Sequence, residues 1–109
     1  MRKRLHAILG GCLVGLAALA AAQAGDMTGD AARGHRLSVE VCGGCHAVEK
    51  GARGGEMPDP PGFQRLADDP AMTALALRVF LTTPHWDMPD LILTDHEIDD
   101  IIAWIHSLR

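Results

Sequence analysis

At 109 residues the chain is long enough for one small domain and little else. Of its 10 basic residues, three (Arg2, Lys3 and Arg4) fall in an N-terminal leader, which leaves seven against 14 acidic ones, a net −7 for the remainder. With no basic cluster past the leader, that balance excludes nucleic acid and anionic lipid as partners and favours a partner carrying a basic patch.

The leader comes first. Arg2-Lys3-Arg4 is a basic n-region, Leu5 to Ala22 is a Leu- and Ala-rich apolar run, and Ala22-Gln23-Ala24 is an A-x-A cleavage site. The expected division is therefore 1–24, a cleaved secretory signal peptide, and 25–109, the mature domain. The small-residue site followed by polar Gly25-Asp26 argues against a retained anchor, so no stable membrane insertion is expected after cleavage. Leu9-Gly10-Gly11-Cys12 faintly resembles a lipobox, but Leu5 to Leu9 is too short an apolar region for one, and Cys12 leaves with the leader. The expected location is the bacterial periplasm.

Asp30 to Val41 reads as a first helix with Ala31, Ala32, Leu37, Val39 and Val41 as its apolar members. It leads into Cys42-Gly43-Gly44-Cys45-His46, a C-x-x-C-H sequence. That pattern is the attachment site of a c-type haem: two thiols add across the vinyl groups as thioethers, and the histidine supplies the proximal nitrogen to iron. Gly43 and Gly44 put no side chain in the way of the porphyrin. A disulfide would leave the adjacent histidine unexplained. A thioredoxin-like site needs a larger mixed fold, and a structural zinc needs more ligands than one cysteine pair.

Residues 50–62, with Gly51, Gly54, Gly55, Gly62, Pro58, Pro60 and Pro61, read as loop. A second helix is expected from Pro70, capped by Asp69, through Met72, Leu75, Ala76, Val79 and Phe80, stopping before Pro84. Thr94-Asp95-His96-Glu97 is a capping box, and Ile98, Ile101, Ile102 and Ile105 form one stripe of a third helix ending at Arg109. Nothing alternates at period two. The expected fold is all-α, with about three main helices wrapped around one covalently attached haem that supplies apolar surface to an undersized core.

The distal iron ligand has several candidates. Met88, in Pro84-His85-Trp86-Asp87-Met88-Pro89, is favoured because Pro89 restricts it to extended backbone in a proline-bounded loop. Met57 follows His46 too closely and lies in a loop without rigid support. Met72 sits at core spacing, and Met27 is near the new terminus. His85 is the rival, and His/His ligation would give a lower potential than His/Met. His35, His96 and His106 are expected on solvated helix faces.

The order of these features resembles the class I cytochromes c, in the small bacterial periplasmic monohaem group: C-x-x-C-H near the mature N-terminus, then Met88-Pro89 ahead of a C-terminal amphipathic helix. The likeness covers essentially the whole mature chain. It implies that Gly34 lets the last helix cross the first closely, with Trp104 as the aromatic packed there. It also implies that a proline carbonyl, from Pro58, Pro60 or Pro61, holds the proximal imidazole. Leu37 and Val39 stand where the family commonly has an aromatic. Without tyrosine, a haem propionate would be bonded by Trp86, Trp104 or an arginine among Arg53, Arg65 and Arg78.

The function expected from these features is a periplasmic one-electron carrier and not an enzyme. One haem c is held by Cys42, Cys45, His46 and Met88, the last two as iron ligands. Its partners would be a dehydrogenase or reductase as donor and an oxidase or reductase as acceptor. The alternatives are a haem enzyme or gas-binding protein with a displaceable distal ligand, for which His85 would be the acid–base group, or a fixed electron-transfer subunit of a larger complex.

Overall fold

The computed structural model describes residues 29–54, 60–85 and 87–109. The leader, Met27, Met57, Pro58 and Trp86 lie outside the described residues. Four helices form: α1 (Ala31–Val41), α2 (Phe63–Asp68), α3 (Ala74–Thr82) and α4 (Asp95–Ser107). Among the described residues there is no strand, only an isolated antiparallel bridge between Gly54 and Pro61. No helix among them is long and apolar enough to cross a membrane.

Helix α4 is the spine, and α1, α2 and α3 all pack on it. Its N-terminus is the capping box read from sequence. Thr94 Oγ1 accepts from Glu97 N at 3.3 Å, while Glu97 Oε2 accepts from Thr94 N at 2.7 Å. Those Thr94 donors hold the Glu97 carboxyl below its ordinary value. The stripe Ile98, Ile101, Ile102 and Ile105 is buried, with Leu108 beyond it. Each isoleucine contributes roughly 1.5–3 kcal/mol by leaving water. Val48, Phe63, Ala67, Leu77 and Cys42 complete the core, and Met72 packs against its edge.

The face that α1 buries is small rather than apolar: Gly34 and Ser38 are buried, whereas Val39 and Val41 are exposed. The cause is the closeness of the crossing. A Cβ at Gly34 would overlap the carbonyl oxygen of Asp100, so only hydrogen fits between these backbones. Ser38 Oγ is enclosed without a hydrogen-bond partner. Asp100, buried on α4, accepts from Asp30 N at 2.6 Å, Arg33 Nε at 2.8 Å and Arg33 Nη2 at 3.0 Å. Asp30 caps α1 through Arg33 N at 2.8 Å, so the start of α1 is fixed to α4 by one carboxylate.

Two elements differ from expectation. Helix α3 starts at Ala74, not Pro70, because Thr73 is the cap and accepts from Ala76 N at 3.1 Å. Asp69 instead accepts from Ala71 N at 2.8 Å. This closes a turn that delivers Met72 to the core before the helix begins. Helix α2 occupies residues that gave no prediction, and it buries Phe63 and Ala67.

Candidate haem-attachment site

The site begins where α1 runs out. Ser38 O accepts from both Cys42 N and Gly43 N at 2.9 Å, and Cys42 O then accepts from Cys45 N at 3.1 Å and His46 N at 2.9 Å. The five residues from Cys42 to His46 thus form one continued, tightened turn that holds both sulfurs and the imidazole on a short arc. Cys42 and Cys45 are free thiols, Cys42 buried and Cys45 exposed. Before haem attaches, burial pushes the Cys42 thiol up to about 11. A Cβ at Gly43 would sit 2.6 Å from Val39 O. One at Gly44 would meet nothing within 4 Å, which leaves that side of the turn clear of protein atoms.

His46 is half-buried, its ring tilted 56° against Phe63 with centroids 5.8 Å apart. His46 Nδ1 lies 2.7 Å from Pro61 O. A carbonyl only accepts, so Nδ1 carries the proton and Nε2 keeps its lone pair, the tautomer a metal ligand needs. Sequence left Pro58, Pro60 and Pro61 open; the carbonyl is that of Pro61. It is aimed by the loop's base: Pro61 bridges to Gly54, whose φ of 73° puts it in the left-handed region, and Gly62 N donates to Arg53 O at 2.8 Å.

The three residues after His46 are each gripped by a different helix. Ala47 O accepts from Phe63 N of α2 at 2.8 Å, and Val48 O accepts from Trp104 Nε1 of α4 at 3.1 Å. Glu49 Oε1 lies 2.8 Å from His35 Nε2 of α1, and the His35 ring packs on Trp104 with centroids 4.4 Å apart. His35 is therefore not on a solvated face. Nor is His106, whose Nε2 lies 3.0 Å from Met72 O, while His96 is exposed as expected. Trp104 spends its N–H on Val48 and is not free to bond a propionate. Arg53 is paired with Asp68 at 2.6 Å, and Arg78 with Asp99 and with Asp95 at 3.4 Å.

Met88 sits half-buried in the loop between α3 and α4, its N–H on His85 O at 3.2 Å. His85 lies in the same loop, with Nδ1 3.0 Å from Thr83 O and its ring edge-on to Phe80, centroids 5.4 Å apart. Large apolar side chains remain at the surface on the elements leading to both candidate ligands: Val39 and Val41 before Cys42, Val79 and Phe80 before His85, and Ile92 after Met88. With a histidine held in the ligating tautomer and two free thiols on one turn, these residues fit a flat, apolar, iron-bearing macrocycle attached through sulfur. Among the described residues no three His, Cys, Asp or Glu side chains cluster to hold a bare metal ion.

The helices packed on α4 and the C-x-x-C-H turn with its carbonyl-held histidine define an all-α haem-binding domain. Residues 29–105 match the family described as cytochrome c oxidase, cbb3-type, subunit III, and the chain belongs to that family. It is also similar to cytochrome c-552 of Bradyrhizobium diazoefficiens, 36% identical over 105 residues, which span 96% of this chain and 97% of the relative. No solved structure matches the chain. The protein is a small bacterial monohaem cytochrome c, an electron-transfer haem protein whose single cofactor is covalently bound haem c.

Proposed function

We propose that the mature chain is a periplasmic one-electron carrier rather than an enzyme, with haem c attached through Cys42 and Cys45 and iron held between His46 and Met88. The observation that carries this reading is the 2.7 Å contact from His46 Nδ1 to Pro61 O, which leaves Nε2 as the ligating atom on the same turn as the two thiols. When bound, the haem supplies a one-electron Fe(II)/Fe(III) couple whose potential His/Met ligation raises above that of a bis-histidine site. The polypeptide's part is to fix both ligands. His46 is held by Pro61 and Phe63, and Pro89 restricts Met88 to extended backbone. Residues 1–24 are the export signal. The partners are redox proteins that present a basic patch to this acidic domain through a brief, small contact.

The description of the family as an oxidase subunit favours a second reading, a fixed relay within such a complex. Purification of the protein alone or with membrane-bound oxidase subunits separates the two.

The test is the visible and near-infrared spectrum of the exported protein, oxidised, reduced and with CO. Low-spin haem with a methionine–iron charge-transfer band and no CO response is expected. Met88→Ala should lose that band, bind CO and fall in potential. An unchanged spectrum would move the ligand elsewhere, to His85 first. High-spin or CO-reactive wild-type iron would instead favour a ligand-binding or peroxidase role.

A further inference from the structure

The carbonyl that orients His46 belongs to a loop, and a loop carbonyl is only as well placed as whatever ties the loop down. The backbone bonds at its base, from Pro61 to Gly54 and from Gly62 N to Arg53 O, join two parts of the same loop to each other. A side chain joins them to the rest of the fold. Gln64 Oε1 accepts from Gly51 N at 2.9 Å, and its Nε2 donates to Asp68 Oδ1 at 2.8 Å and to Leu108 O at 3.0 Å. Asp68 uses its other oxygen on Arg53 Nη1 at 2.6 Å, closing a ring from Gly51 through Gln64 and Asp68 back to Arg53. The amide has one orientation, because Gly51 N can only donate, whereas Leu108 O and the carboxylate can only accept. Gly51, at φ 80°, needs the glycine backbone to take its place in this ring.

We infer that Gln64 is a positioning residue for the haem iron: it anchors the Pro61 loop to the C-terminal end of α4 and so sets the hydrogen bond that makes the His46 imidazole electron-rich. The inference rests on His46 being the proximal ligand. A firmer Nδ1–H bond raises ligand basicity and favours Fe(III). Loosening the anchor therefore shifts the potential upward.

The experiment uses the haem-loaded protein. Gln64→Met preserves bulk and removes all three bonds, while Ile105→Val loosens the core without touching the loop. Three quantities are read: the reduction potential, the hydrogen-exchange rate of the His46 Nδ1–H by proton NMR, and the urea midpoint. Gln64→Met is expected to raise the potential and speed Nδ1–H exchange by roughly fivefold, the worth of one ordinary hydrogen bond. Ile105→Val should lower the urea midpoint while leaving potential and exchange where they were. Should Gln64→Met not load haem, Asp68→Asn, which weakens the same ring from its far side, is expected to shift both readouts the same way but less. A potential and exchange rate unmoved in the Gln64 variant, or moved equally by Ile105→Val, would overturn the inference. Oxidised wild type lacking hyperfine-shifted imidazole protons from His46 would instead refute the ligand assignment on which it rests.

Discussion

Asp100→Asn isolates the charge that joins the first helix to the last. In the native protein the carboxylate accepts three bonds, one from Asp30 N and two from the Arg33 guanidinium. The carboxamide retains one acceptor for Asp30 N and Arg33 Nη2 but turns a donor toward Arg33 Nε. One charge-assisted bond, worth roughly 1.5–3 kcal/mol, is lost, and the others become weaker neutral-acceptor bonds. The Arg33 side chain is 58% exposed, so it swings into water and is not stranded. The cost therefore stays below the roughly 3–5 kcal/mol of breaking a fully buried pair. The expected loss at pH 7 is about 2 kcal/mol, or a fall of roughly 10 °C in Tm for a domain of this size.

The pH dependence makes the test sharper. Arg33 above all, then the Asp30 N–H, holds the folded carboxyl below its ordinary 3.8. A folded pKa below the unfolded one contributes stability that is fully present above the unfolded value and is lost as pH falls through the folded one. Asparagine has no such dependence. The gap between the two holoproteins in urea titrations followed by helical circular dichroism must be open at pH 7 and shrink steadily below about pH 4. A gap of the same size at pH 3 as at pH 7 would show that packing, not charge, was lost. No gap at pH 7 would show that the contact adds nothing.

Other perturbations are read by the same denaturation assay. Gly34→Ala sets a methyl group against the Asp100 carbonyl, and the two backbones must part. The expected net loss is about 2 kcal/mol even after the gain in helix propensity, and a neutral result would mean the crossing is looser than described. Ser38→Ala removes a buried hydroxyl with no partner and is expected to stabilise the protein by about 1 kcal/mol, whereas a destabilised variant would reveal a bond to that oxygen. Thr94→Ala deletes the α4 cap and should cost about 1 kcal/mol, seen as a lower urea midpoint.

What could be read from sequence was local. The Cys42–His46 pattern, the Thr94–Glu97 box and the isoleucine stripe each lie within a few residues, and the box and the stripe recur as expected in the fold. Gly34 was legible only by likeness to a family, since nothing near it announces that Asp100 will arrive. Helix α2 was missed because six residues are under two turns, too few for periodicity to register, although Phe63, Leu66 and Ala67 have the spacing. The choice of Pro61 among three prolines depends on where the Gly54 turn closes, and the role of His35 depends on Trp104 and Glu49 approaching from elsewhere. Asp69 read as the cap because Pro70 follows it, but Thr73 caps the helix and Asp69 closes the turn before it.

The span of the Asp100 contacts also bears on timing. The carboxylate reaches back 70 residues to Asp30 N and 67 to Arg33, so the first helix docks only against a segment far along the chain. Closing so long a loop is entropically costly and slow, and none of it can begin until α4 is available. The Cys42–His46 turn at the end of α1 stays open to approach until α4 docks.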